Sequence, residues 1–141
     1  MRILKIDNCP TLSSKSTLTY HIGHENDKIQ FRVHANTGGG YFSQEWVALK
    51  NIQAVLTGTF SSIPLHPLFR GKSVNTPAFL LAVLKQEKLL LPAKHRKYQW
   101  ADLKAFTARV EKLIASDINL DPTKAPTKKT LKKTPKKNTG S

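Results

Sequence analysis

Two stretches of alternating apolar residues near the N-terminus restrict most strongly what this chain can fold into. Every second residue is apolar in residues 17–22 and again in residues 29–35. Side chains two positions apart on a strand share one face, so each stretch presents an apolar face to a core. The polar sequence GHEND between them has the length of a hairpin turn. We therefore predict an antiparallel hairpin, with a further strand at residues 2–6. The outer face of the hairpin would show polar and basic side chains: Thr17, Thr19, His21, Lys28, Gln30, Arg32 and His34.

Three later segments have apolar residues at helical spacing. The first lies between Ser43, a good N-cap, and Gly58, a typical C-terminal stop. The second is residues 76–88, in which Thr76 is the expected cap and a proline follows at the first helical position. The third is residues 102–116, whose apolar residues form one stripe.

Two short strands, residues 89–91 and 98–100, are predicted between the second and third helices, on either side of a charged tip. Pro67 favours one short helical turn ahead of the second helix. We therefore predict a single α+β domain. An N-terminal antiparallel β-hairpin or small sheet, residues 1–42, is followed by a three-helix part, residues 43–118.

The charge distribution indicates an anionic polymer as partner. The chain has 23 Lys+Arg against 9 Asp+Glu, a net charge of +14. Residues 70–112 contain ten basic residues and three acidic ones, and residues 122–141 contain seven lysines and no acid. From about residue 119 onward the composition is mainly Pro, Thr and Lys, so we expect residues 119–141 to be a disordered basic tail.

Other classes of protein are disfavoured by the composition. Cys9 is the only cysteine, which excludes a disulfide within the chain and favours a reducing cytoplasm. No apolar run is long enough to span a membrane, and the N-terminus becomes polar too early for a secretory signal. The HIGH sequence at residues 21–24 and the GKS sequence at residues 71–73 lack the context of nucleotide-binding motifs. We expect a non-enzymatic protein with no catalytic residue, metal or cofactor.

The order of a helix, a short helical turn, a helix and a basic hairpin over residues 43–100 resembles winged helix-turn-helix DNA-binding proteins. More narrowly, LLAVLKQEKLL, a basic turn and YQW resemble the end of such proteins, where a Leu-rich helix leads into a β-wing. The sequence KAPTKKTLKKTPKKNTG resembles the tails of linker histones and bacterial histone-like proteins. These resemblances imply a winged-helix-like unit that binds DNA, with a tail that raises affinity.

A helical wheel of the second helix places Leu80, Val83 and Leu84 toward the core and leaves Leu81 and Ala82 on an outer face. That face, the N-terminal edge of the helix, the hairpin tip and the tail supply our candidate nucleic-acid contacts. The candidates are Lys72, Ser73, Asn75, Thr76, Lys85, Lys88, Lys94, His95, Arg96, Lys97, Lys128, Lys129, Lys132, Lys133, Lys136 and Lys137.

These patterns favour a protein that binds duplex DNA, mainly through phosphates, in transcriptional regulation, nucleoid organisation or the maintenance of a mobile element. It would act in the cytoplasm, on the nucleoid if the source is bacterial. An alternative is RNA or ribosome binding that uses Lys28, Arg32 and His34. Another is an adaptor or inhibitor for an acidic protein. Leu81 and Leu89 would also suit a homodimer.

Overall fold

A four-stranded antiparallel sheet forms the N-terminal part of the fold. The computed structural model describes residues 1–39, 41–69 and 73–121. The strands follow chain order across the sheet: β1 (Arg2–Pro10), β2 (Thr17–Glu25), β3 (Lys28–Asn36) and β4 (Val47–Ala48). Lys72 and the predicted disordered tail from residue 122 lie outside the described residues.

The predicted hairpin of β2 and β3 is confirmed. Asn26 and Asp27 form its turn with positive φ angles of 53° and 61°, a conformation that these two residue types tolerate better than most. The alternating apolar side chains are buried on the inner face of the sheet, as predicted: Leu18, Tyr20, Ile22, Phe31 and Val33.

The second part of the chain contains the helices, so the fold is α+β. Its elements are α1 (Leu49–Val55), a 3₁₀ helix (Ile63–Phe69), α2 (Thr76–Gln86), β5 (Leu90–Ala93), β6 (Lys97–Trp100) and α3 (Lys104–Ala115). Strands β5 and β6 pair as a separate two-stranded sheet. The predicted order of helix, helical turn, helix, hairpin and helix is therefore present.

The start of the first helix differs from the prediction. Ser43 does not cap a helix; it is buried, and its backbone N–H donates a 2.8 Å hydrogen bond to Thr76 Oγ1. The chain first adds β4 to the sheet, where Val47 pairs with Phe31, and α1 begins only at Leu49. Pairing with β3 buries Val47, and this long-range contact overrides the local helical signal.

Helix α2 is buried on two sides, which corrects the predicted outer face. Leu81 is 1% exposed and Ala82 is 3% exposed, as deeply buried as the predicted core residues Leu80 and Leu84. The helix contacts β1 and β3 of the sheet, the 3₁₀ helix and β5. Because these elements surround it, α2 is the central helix of the core and does not offer a free apolar face.

The N-cap residue of α2 is Asn75, one position before the predicted Thr76, and its own side chain makes no capping hydrogen bond. The hydroxyl of Ser73 accepts hydrogen bonds of 3.1 Å from the backbone N–H groups of Asn75 and Thr76. Pro77 lies in the first turn, as predicted. Thr76 is 1% exposed, and its own hydroxyl is the acceptor for Ser43.

The C-terminus of α2 ends in a Schellman turn without glycine. The N–H of Leu89 donates to the carbonyl of Leu84, and the N–H of Lys88 donates to the carbonyl of Lys85, both at 3.0 Å. Lys88 has a φ angle of 64°, the left-handed conformation that glycine usually supplies at this position. A lysine here costs conformational energy but directs a cation outward.

The two ends of the described chain meet at β1. The Arg2 guanidinium donates hydrogen bonds to the carbonyls of Leu113, Ile114 and Ile118 at 3.1, 2.6 and 2.7 Å, and so caps the C-terminus of α3. The N–H of Leu120 donates to the carbonyl of Ile3. These contacts keep the segment that follows α3 attached to β1 as far as Leu120.

Replacing Lys88 with glycine should raise the free energy of unfolding by about 1 kcal/mol, because glycine adopts the left-handed conformation without a Cβ clash. Urea denaturation measures the change. Lys88→Ala is the matched control, since it removes the same charge and keeps the Cβ. Equal stabilisation by the two substitutions would show that charge, and not backbone conformation, is responsible.

Candidate nucleic-acid interface

The single acidic residue among positions 46–101 is turned into the protein. Glu87 lies just after α2 and is 4% exposed. Its Oε2 accepts hydrogen bonds from the Tyr20 hydroxyl and from Lys5 Nζ, the latter at 2.8 Å. Arg109 Nη2 lies 3.8 Å from Oε1. These partners neutralise the carboxylate internally, so it does not offset the positive charge of the surface.

Basic side chains at the end of α2 and on the β5–β6 hairpin form one surface. Lys85 Nζ, on α2, lies 5.9 Å from the centre of the ring of Tyr98, which belongs to β6. This contact joins the helix end to the hairpin. We call the following set the basic surface: Lys85, Lys88, Lys94, His95, Arg96 and Lys97, all of them exposed.

The hairpin tip projects four of these side chains together. Ala93 pairs with Lys97, so Lys94, His95 and Arg96 form the loop between the strands. His95 and Arg96 have positive φ angles of 61° and 60°. Neither this tip nor Lys85 and Lys88 form an ion pair with an acid of the described residues. The cations are therefore available to an external anion.

A groove lies beside the α2 end of the basic surface. It has a volume of about 270 Å³ and separates the last turn of α2 from the loop between β1 and β2. The residues that line it are Pro10, Thr11, Leu12, Ser14, Ala82, Lys85, Gln86 and Lys88. Two lysines at its rim can hold a phosphate by charge, without a requirement for a particular base.

The predicted contacts at the N-terminus of α2 are engaged within the protein. Asn75 Nδ2 and Ser73 Oγ both donate to the carbonyl of Tyr41, at 2.8 and 3.3 Å. Thr76 is buried, so its hydroxyl cannot reach a phosphate. This group lies about 15 Å from the basic surface, at the other end of an 11-residue helix. Sequence reasoning thus combined two groups of residues that the fold separates.

A second set of planar side chains lies on the outer face of the sheet. Arg32 Nε donates a 3.0 Å hydrogen bond to His21 Nδ1, and its guanidinium lies 4.6 Å from the centre of the Trp46 ring. The His21 and His34 rings are stacked with centres 4.4 Å apart. We call His21, Arg32, His34 and Trp46 the sheet-face cluster. His21 is 0% exposed, and the other three are partly exposed.

Burial, together with the neighbouring His34 and Arg32, lowers the pKa of His21 to about 4. The ring is therefore neutral near pH 7. Because Nδ1 accepts the hydrogen bond from Arg32, the proton lies on Nε2. That Nε2 is buried and has no hydrogen-bond partner among the described residues. An unpaired buried donor of this kind costs about 1–3 kcal/mol.

Trp46 is the member of the cluster that sequence reasoning missed. Trp46 lies in the segment predicted to be the first helix, between Ser43 and Gly58, whereas the chain there runs toward β4. Gly23 makes the placement of Trp46 feasible, because a Cβ at this position would lie 2.8 Å from the Trp46 ring. A glycine inside a strand was the available signal for such a close approach. The histidines and Arg32 were already assigned to the outer face.

The comparisons with known proteins identify no relative: no family model, curated protein or solved structure matches this chain. Within residues 1–39, 41–69 and 73–121, no three His, Cys, Asp or Glu side chains form a group that could hold a metal ion. In the same ranges, no helix has the length and apolar character needed to cross a membrane.

The free energy of unfolding should fall as the pH decreases from 6.5, the ordinary pKa of His21, toward its folded value of about 4. The unfolded chain takes up the proton more readily than the folded one. The contribution of His21 to the free energy of unfolding is therefore fully present above pH 6.5 and is lost as the pH falls to about 4. The expected loss is about 3 kcal/mol. Urea denaturation across this pH range measures it.

His21→Phe is the control for this pH dependence, because it keeps a planar ring beside His34 and removes the titrating group. The comparison concerns the slopes of stability against pH, since the variant also loses the hydrogen bond from Arg32. The slope should become shallower. An unchanged slope would assign the acid sensitivity to other residues.

Proposed function

We propose that the protein binds duplex DNA through its phosphate backbone and has no enzymatic activity. The observation that supports this most is the basic surface, which lies within residues 85–97; the one acid in that range, Glu87, is buried and paired internally. A protein surface of this kind favours a polyanion, and nucleic acid is the commonest one in a cell.

Phosphate contacts are expected to dominate over base readout. Side chains that read base edges, such as Arg and Asn, act from an element that enters a groove of the duplex. Here α2 is enclosed by the sheet and β5, so it cannot enter the major groove. The projecting element is the hairpin, and its tip contains the basic residues Lys94, Arg96 and Lys97. Any preference for a base sequence should therefore be weak.

The lysines of residues 122–141 are expected to strengthen the same interaction. This segment contains seven lysines and no acidic residue, and each phosphate that it neutralises releases a counterion. Together these features suit a cytoplasmic protein that acts on DNA broadly. Roles in nucleoid organisation, transcriptional regulation or the maintenance of a mobile element all fit this proposal. The resemblance to winged-helix proteins also supports DNA binding, but it rests only on the order of a helix, a helical turn, a helix and a basic hairpin.

Affinity for duplex DNA should fall by a factor of about 10³ or more between about 50 and 200 mM salt, because several phosphate contacts release counterions. Fluorescence anisotropy with two labelled duplexes of unrelated sequence measures the change. The two duplexes should bind with similar affinity. Weak binding at low salt, or affinity that is independent of salt, would refute the proposal. Capture of an acidic protein that persists after nuclease treatment would favour an adaptor instead.

Replacing Lys94, Arg96 and Lys97 together with glutamine should weaken duplex binding and make the slope of log affinity against log salt shallower by about three. The matched control replaces Lys28 of β3, Lys50 of α1 and Lys112 of α3 with glutamine; these lysines are exposed and belong to other elements, so the control removes the same charge. This control should retain most of the slope. Equal losses in the two variants would show that total charge, and not the hairpin tip, determines binding.

A further inference from the structure

The outer face of the sheet has planar side chains that are held in position before any ligand binds. Arg32 is fixed by its hydrogen bond to His21 Nδ1 and by its contact with the Trp46 ring. The guanidinium plane is thereby prevented from sampling the many rotamers of a free arginine. A fixed planar cation is a surface on which a nucleobase can stack.

His34 adds a second planar surface close to the first. Its ring is stacked on His21, at 4.4 Å between centres, and the residue is partly exposed. The backbone carbonyl of His34 also accepts a 2.7 Å hydrogen bond from Gln44 Nε2, which holds the segment before β4 against β3. Two neighbouring planar groups, one charged and one aromatic, can receive two successive bases of a flexible strand.

The helices pack against the other face of the sheet. Phe31 and Phe106 of α3 are stacked there, with ring centres 6.0 Å apart, and the Tyr20 hydroxyl meets Glu87 on the same side. Arg32 and His34 alternate with the buried Phe31 and Val33 along β3, so they point away from this core. The sheet-face cluster therefore lies on a different surface from α2 and α3.

The unpartnered Nε2 of His21 is an independent sign that the cluster has a role beyond packing. Buried polar groups without a hydrogen-bond partner are rare in folded proteins, because they destabilise the native state. The fold nevertheless keeps this donor beneath Arg32, His34 and Trp46. A set of side chains selected for stability alone would not include it.

We propose that the sheet-face cluster is a second binding site, which stacks the unpaired bases of a single-stranded nucleic acid on Arg32, His34 and Trp46. Single strands, unlike duplexes, expose the faces of their bases to such a surface. The ligand is thus a flexible strand with splayed bases, either DNA or RNA. This inference stands on residues that the basic surface does not include, so either proposal can fail without the other.

The test is a titration of the isotope-labelled full chain with thymidine DNA and uridine RNA oligomers of about ten nucleotides, followed by NMR. The chain has two tryptophans, and their indole N–H signals report on different places. The indole of Trp100 donates to the Leu56 carbonyl inside the fold and serves as an internal reference. The signals of Trp46 and of the Arg32 side chain should shift in a saturable manner, while the Trp100 signal should stay in place.

Arg32→Lys keeps the charge and removes the planar group, so it should weaken oligomer binding by about tenfold. Lys28→Gln is the matched control on the same strand, since it removes a charge and leaves the planar groups intact. It should weaken binding by about threefold at most. His34→Ala provides a second variant of the cluster if Arg32→Lys does not fold, and it too should weaken binding.

The outcomes separate the two sites. If the oligomers bind and the Trp46 signal does not shift, or if Arg32→Lys binds as tightly as the unaltered chain, the stacking site is refuted and the duplex proposal is unaffected. If the variant lacking the basic hairpin tip loses duplex binding but still shows the Trp46 shifts, both sites are supported. A lower dissociation constant for the uridine or for the thymidine oligomer, fitted to the titration, identifies RNA or DNA as the preferred strand.

Discussion

The buried carboxylate of Glu87 is the interaction on which the arrangement of the protein depends. Its partners come from three different elements: Lys5 from β1, Tyr20 from β2 and Arg109 from α3. Arg109 Nη2 also donates to the backbone carbonyl of Glu87 at 3.2 Å. A buried charge is stable only where such partners surround it, so this carboxylate joins the end of α2 to the sheet and to α3 in the folded protein. Burial and the hydrogen bond to Glu87 raise the pKa of the Tyr20 phenol, which therefore remains a donor.

The same interaction shapes the outer surface. Because Glu87 satisfies its charge inside, residues 73–101 present cations with no exposed acid among them. The left-handed conformation at Lys88 turns the backbone directly after this carboxylate and starts the path into β5. One short stretch of sequence thus places a negative charge in the core and a positive one at the surface.

Features that depend on neighbours in sequence were predictable, whereas those that depend on distant contacts were not. The alternation in β2 and β3, the proline in the first turn of α2 and the basic tip between β5 and β6 are local signals, and the structure contains all three. By contrast, β4 exists because Val47 meets Phe31, a partner 16 positions earlier. The burial of Leu81 and Ala82 likewise requires knowledge of what packs around α2. The sheet-face cluster was found only in part, since Trp46 reaches it by a path that the helical pattern concealed.

The contacts between Arg2 and the end of α3 join residues that leave the ribosome at very different times. The hairpins of the sheet join residues close in sequence, whereas Arg2 and Ile118 are 116 positions apart. The sheet can therefore form while the ribosome is still extending the chain, but α3 acquires its cap only when nearly the whole described domain has emerged. The lysines of residues 122–141 follow this segment in the chain, so they are made after the residues that lock β1 to the end of α3.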